Sequence, residues 1–130
     1  MLVLDASVVI RACDAQDGFA LLGDPGLFAP ALMWSEVRSA LHEAACRGEV
    51  SALRGQDMLR ALERSPVRLC AHASLGREAW RVADELGMAK TYDAEYVALA
   101  RLLGCRLVTL DGRLRRGAER LGFVVGPSEL

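Results

Sequence analysis

Four acidic residues stand where their carboxylates could do chemistry together. Leu2-Val3-Leu4 runs straight into Asp5, and Arg106-Leu107-Val108-Thr109-Leu110 runs into Asp111. Both stretches are short apolar runs and read as buried strands. Parallel strands would put the two carboxylates on one edge of a sheet. Glu36 lies on a strongly apolar helix, flanking the buried face between Met33 and Ala40. Asp93 precedes the helix Ala94–Leu103, just after the turn Ala89-Lys90-Thr91-Tyr92. Carboxylates that share a site repel, and burial raises their pKa values. They stay ionised most readily beside a cation. An all-oxygen set without His or Cys points to Mg²⁺ or Mn²⁺ rather than zinc. The matching chemistry is phosphodiester hydrolysis, with the metal activating water and neutralising the leaving oxygen. Each acid also has a plainer reading. Asp5, Asp93 and Asp111 all precede helices, and aspartate is a favoured N-cap worth about 1 kcal/mol. Asp111-Gly112 is also a simple turn pair, and Glu36 could point past the core edge to solvent.

These residues need elements to hold them. Leu2–Leu4 reads as a strand and Ala6–Asp14 as a helix with Val8, Val9 and Ile10 inward. Asp17–Gly23 is a short helix or turn closed by Asp24-Pro25-Gly26, and Leu27–Ala29 is a strand. Over Ala31–Arg47, Met33, Val37, Ala40, Leu41 and Ala44 recur at helical spacing, and Gly48 ends the helix. Further helices are expected over Ser51–Arg64, Leu75–Leu86, Ala94–Leu103 and Leu114–Leu121. Strands are expected over Val67–Cys70, Arg106–Leu110 and Phe123–Val125. Alternating strands and helices imply a parallel sheet flanked by helices. Ligands in such sheets bind beyond the carboxyl ends of strands, where the strand order reverses.

Composition sets bounds. The 130 residues suit one domain, 1–130. With 52% hydrophobic and 25% charged residues the chain is neither disordered nor collagen-like. No apolar run approaches the roughly 18 residues of a membrane span, and Asp5 ends the N-terminal apolar run too early for a signal peptide. The expected location is cytoplasmic. Cys13, Cys46, Cys70 and Cys105 form no C-x-x-C pair, and all four are expected to be small core residues.

The motifs resemble those of PIN-domain ribonucleases, specifically the VapC toxins of type II (VapBC) toxin–antitoxin pairs. "VLDASVVI" resembles the first motif, with Asp5 and Ser7. "PALMWSEVRSAL" resembles the second and supplies Glu36. "TYDAEYVALARLLGCRLVTLDGRL" resembles the third and fourth joined, supplying Asp93 and Asp111, with Thr109 before the last acid. The likeness runs from Val3 to about Val125. It implies a PIN-like three-layer α/β/α fold with a five-stranded parallel sheet of order 3-2-1-4-5. It also implies Mg²⁺- or Mn²⁺-dependent cleavage of structured RNA, tRNA or rRNA, leaving a 3′-hydroxyl and a 5′-phosphate. Inhibition by a VapB-type antitoxin and a homodimeric state belong to the same resemblance. By it, Asp5, Glu36, Asp93 and Asp111 are catalytic. Asp5, Asp93 and Asp111 are metal ligands, direct or through water, and Glu36 is a ligand or orients the attacking water. Ser7 and Thr109 support the site by hydrogen bonds. Their alternatives are a first-turn helix residue and an ordinary strand residue. Glu95, about 200° round the helix from Asp93, reads as solvated.

RNA must also be held. From Lys90 to Arg120, seven basic residues face four acidic ones, a net of +3. Arg113, Arg115 and Arg116 follow Asp111 directly and are candidate phosphate contacts; a solvated helix face is the alternative. Trp34 and Tyr96 read as core. Met33, Trp34, Met58, Leu59 and Leu62 offer more apolar helix surface than a thin sheet needs, which favours a dimer. Other readings are a PIN-fold nuclease outside a toxin–antitoxin pair and a non-catalytic nucleic-acid-binding module. A phospho-acceptor receiver domain lacks its acidic pair after strand one. A serine hydrolase lacks its G-x-S-x-G.

Overall fold

The computed structural model describes residues 1–23 and 26–130. Asp24 and Pro25, part of the turn expected after the first short helix, lie outside the described residues. The element order is β1 (Leu2–Leu4), α1 (Ala6–Asp14), β2 (Leu27–Ala29), α2 (Leu32–Cys46), α3 (Ala52–Glu63) and β3 (Arg68–Leu69). Then come α4 (Leu75–Leu86), α5 (Tyr92–Leu103), β4 (Arg106–Val108), α6 (Gly112–Ala118) and β5 (Val124–Val125). Short 3₁₀ turns occupy Ala20–Leu22, Glu119–Leu121 and Pro127–Glu129.

The five strands are parallel, in the order β3-β2-β1-β4-β5. The fold is the PIN-like α/β/α arrangement read from the sequence. The chain winds outward from β1 through β2 to β3, returns past β1 to β4, and continues to β5. With right-handed crossovers, that reversal puts the first three helices on one face and the last three on the other. α1, α2 and α3 pack on one another, while α4 packs on α5, which lies against β1 and β4. The strands are buried throughout in the middle of the sheet: Val3, Leu4, Leu107 and Val108 have no exposed surface. This is what a parallel sheet covered on both faces requires.

Several boundaries differ from the sequence reading. β4 stops at Val108 rather than Leu110, because the Leu110 N–H donates to Ser7 Oγ (2.9 Å) instead of continuing the ladder. α5 begins at Tyr92, so Asp93 lies within its first turn and is not its N-cap; Thr91 is. α6 begins at Gly112 and its last turn tightens to 3₁₀ at Glu119. Gly18 is needed for close packing: a Cβ there would sit 2.4 Å from the Ala12 carbonyl oxygen. Gly104 ends α5 in the left-handed conformation, φ +65°, which any side chain would strain.

Two packing expectations are corrected. Met33, Met58 and Leu62 are buried in the core, and Trp34 and Leu59 pack partly buried against it. Most of the surface that favours a dimer in the sequence is therefore core, while Trp34 and Leu59 keep part of theirs exposed. Cys46 ends α2 on its outer side and is exposed, its Sγ 3.6 Å from His42 Nδ1. Only Cys13 is fully buried, and burial pushes its thiol up to about 11. Cys70 and Cys105 are half-buried.

Candidate active site

The register of β1 on β4 builds the site. Leu4 lies opposite Val108, so Asp5 falls level with Thr109 at the carboxyl edge of the sheet. The Asp5 N–H donates to the Val108 carbonyl (3.2 Å), the last rung before the chains part. Asp5 then caps α1. Its Oδ1 accepts from the Ser7 and Val8 N–H groups at 2.9 and 3.3 Å, and from Ser7 Oγ at 2.5 Å. Its Oδ2 accepts from Thr109 Oγ1 at 2.5 Å. Asp111 caps α6 with matching geometry, its Oδ1 accepting from Arg113 and Leu114 N–H at 2.9 and 3.3 Å. Thr109 joins the two acids. While donating to Asp5, its hydroxyl accepts from the Asp111 N–H at 2.9 Å. Ser7 closes the ring by accepting from Leu110 N–H. Capping and site construction are thus the same act for Asp5 and Asp111.

Glu36 and Asp93 arrive from α2 and α5. Burial raises the Asp93 carboxyl above its ordinary range, and the charges of Asp111 and Asp5 add to that. Burial also raises Glu36, with further upward pressure from Asp93, Asp5 and Glu95. Asp5 is raised by burial alone, against the pull of its hydrogen bonds. Asp93 feels the charges of Asp111 and Asp5, and Glu36 those of Asp93 and Asp5, which links the four sequence candidates electrostatically. Glu95 is half-buried, its carboxyl also raised by burial, and its charge bears on Glu36. The reading of Glu95 as a solvated side chain does not hold. The angle round α5 gives no sign of Glu36, on whose carboxyl the Glu95 charge bears.

Sequence reasoning missed the partner of Glu36. The Tyr96 hydroxyl donates to Glu36 Oε1. Tyr96 is core, as expected, but its hydroxyl is not idle. A tyrosine three residues after Asp93, on the same helix face, was the available signal.

Among the described residues, no three His, Cys, Asp or Glu side chains come together as a ready-made metal cage. The donor set nevertheless suits a hydrated hard cation. It is all oxygen, it is crowded with like charge, and Mg²⁺ commonly uses only one or two protein carboxylates. A cation would relieve the like-charge repulsion that adds to burial in lifting Glu36 and Asp93.

The basic residues separate. Arg115 is engaged by Glu129, and its buried Nε has no hydrogen-bond partner. Arg101 pairs with Glu78 and Glu85, and Arg120 donates to the Glu85 carbonyl. Arg113 and Arg116 are exposed beside Asp111. The Arg116 side chain folds over Gly112, where a Cβ would stand 3.0 Å from Nη1. Lys90 is an exposed turn residue.

A strand-end acidic cluster on this sheet order defines a PIN-type nuclease fold, and the comparison with known proteins agrees. The PIN domain family matches residues 2–120, and the chain belongs to that family. Within it the chain falls among the VapC ribonucleases. It is 37% identical over 116 residues to ribonuclease VapC9 of Mycobacterium tuberculosis, covering 88% of each protein. The fold is shared with PAE2754 from Pyrobaculum aerophilum, at TM-score 0.76 and 22% identity, over 98% of this chain and 90% of that one. It is shared also with a toxin–antitoxin complex from Klebsiella pneumoniae, at TM-score 0.70 and 18% identity, over 98% of both chains.

Proposed function

We propose that this chain is a Mg²⁺- or Mn²⁺-dependent endoribonuclease toxin that cuts phosphodiester bonds in structured RNA and is restrained by a VapB-type antitoxin. What supports this reading is that Asp5 and Asp111 leave the ends of β1 and β4 while Glu36 and Asp93, from α2 and α5, feel the charges of that pair or of each other. Asp5, Asp93 and Asp111 would hold the ion, directly or through water. When bound, such an ion supplies water activation and charge neutralisation at the leaving oxygen.

The remaining roles fall to the chain's own groups. Ser7 and Thr109 fix both oxygens of Asp5, leaving its carboxylate one orientation. Glu36 presents Oε2, which makes no hydrogen bond among the described residues, and orients the attacking water. A carboxyl raised toward neutrality accepts a proton better than an ordinary one. Arg113 and Arg116 bind flanking phosphates, whereas Arg115 holds the C-terminal turn through Glu129. VapC relatedness and the shared fold of a toxin–antitoxin complex support the antitoxin partner. A homodimer and a cytoplasmic location belong to the same reading and rest on family resemblance. Among the described residues no helix is long and apolar enough to cross a membrane.

The test is incubation of antitoxin-free protein with total cellular RNA and Mg²⁺ or Mn²⁺. Discrete cuts with 3′-hydroxyl and 5′-phosphate ends, abolished by EDTA and by Asp93→Asn, are expected. No cutting by folded protein at any divalent metal concentration would overturn the assignment in favour of a binding module.

A further inference from the structure

We propose that Tyr96 is a positioning residue that holds Glu36 in the acidic cluster against the repulsion of its neighbours; this rests on the nuclease reading above. Tyr96 is 1% exposed and among the largest fully buried side chains. A phenylalanine would bury the same ring without taking a hydroxyl out of water, which is unfavourable unless the hydroxyl is bonded. The bond is made to Glu36 Oε1. It links residues 60 apart in sequence and is the only hydrogen bond between α2 and α5 among the described residues.

The contact has work to do. Glu36 reaches in from the flank of α2 on a side chain with three rotatable bonds. The charges of Asp93, Asp5 and Glu95 all oppose its staying there as an anion. With no other side-chain hydrogen bond, its favourable alternative is to swing toward solvent. The phenol offers a donor on a rigid ring that is itself buried in the hydrophobic core. One oxygen of Glu36 is thereby spent and the other left open. Asp5, by contrast, is anchored locally by Ser7 and across the sheet by Thr109. Glu36 depends on one tether.

The test is a double-mutant cycle with Tyr96→Phe, Glu36→Ala and the double variant, read by single-turnover cleavage of an RNA fragment carrying a mapped site. Tyr96→Phe is expected to lower the saturating rate by about 10–100-fold, the usual range for loss of a supporting hydrogen bond. Half-saturation by RNA should stay within about twofold, because no phosphate contact is lost. In the Glu36→Ala background the same change should cost less than about twofold, since its target is gone. Equal losses in both backgrounds, or no loss in the first, would overturn the proposal. A second readout needs no activity: the Glu36 γ-methylene signals in the NMR spectrum. Two distinct, rigid proton shifts are expected in the parent protein, collapsing to an averaged pair in Tyr96→Phe. Averaged signals in both proteins would refute the tether even with the nuclease established. Conversely, distinct signals in a protein that cuts no RNA would leave the tether standing and remove only its catalytic purpose.

Discussion

Replacing Thr109 by valine removes one oxygen from the centre of the site and little else. Thr109 has no exposed surface, and valine has nearly its shape, so no cavity opens. Two hydrogen bonds go. The donation to Asp5 Oδ2 is charge-assisted and buried, contributing about 1.5–3 kcal/mol. The Asp111 N–H also loses its acceptor, but Asp111 is half-buried and water can replace it. The net loss at pH 7 is therefore about 2–3 kcal/mol. Unfolding entropy near 2.1 cal/mol/K per residue, over 130 residues, converts this to a Tm lower by about 7–11 °C. The loss should shrink as pH falls, because a protonated Asp5 no longer accepts as an anion. Thr109→Ser keeps the hydroxyl and gives up a methyl group, costing about 1 kcal/mol. Urea or thermal unfolding of the three proteins decides the matter. Valine within about 0.5 kcal/mol of the parent, or no less stable than serine, would refute the reasoning.

Four further outcomes follow from the site and its flanking arginines. Asp5, Glu36, Asp93 and Glu95 all have carboxyls raised by burial, against Glu85, which Arg101 lowers. The raised groups take up protons in the fold before they do in the unfolded chain, so metal-free protein should gain stability as pH falls from neutrality toward 5; a lower Tm at the lower pH contradicts this. Millimolar Mn²⁺ should raise the Tm of the parent protein and have much less effect on Asp93→Asn, as differential scanning fluorimetry would show; an equal rise in both would detach Asp93 from the ion. Arg113→Ala and Arg116→Ala should each lower the salt slope of RNA binding by about 1 without affecting folding. Arg115→Ala should instead destabilise the C-terminal turn, visible as faster amide exchange near Glu129.

Much of the site was legible because the sequence carried it locally. Asp5 and Asp111 each end an apolar strand and begin a helix, so one residue signals both its element and its place on the sheet edge. Glu36 was visible as an acid at odds with an apolar helix. The strand order followed from the motif likeness and agreed with strand-end placement. What stayed hidden depends on contacts distant in sequence. Tyr96 reaches Glu36 across 60 residues; its spacing from Asp93 puts it on that acid's face of α5, but nothing in the sequence names Glu36 as its partner. An angle on α5 alone does not reveal that Glu95 is half-buried and bears on Glu36. The burial of Met33, Met58 and Leu62 depends on tertiary packing, which the period of one helix does not reveal. Arg115 stands beside Arg113 and Arg116 in sequence, and its ion pair with Glu129 appears only in the structure.

Asp5, Glu36, Asp93 and Asp111 are proposed to act as a single RNA-cutting centre. The most direct test is the single-turnover cleavage rate of Asp5→Asn, Glu36→Gln, Asp93→Asn and Asp111→Asn beside the parent protein. Each variant should be folded by circular dichroism, and each should lose about 100-fold or more in rate, the scale expected when a group acting in the transition state is removed. A folded variant that cuts at the parent rate would place its residue outside the chemistry and contradict the account.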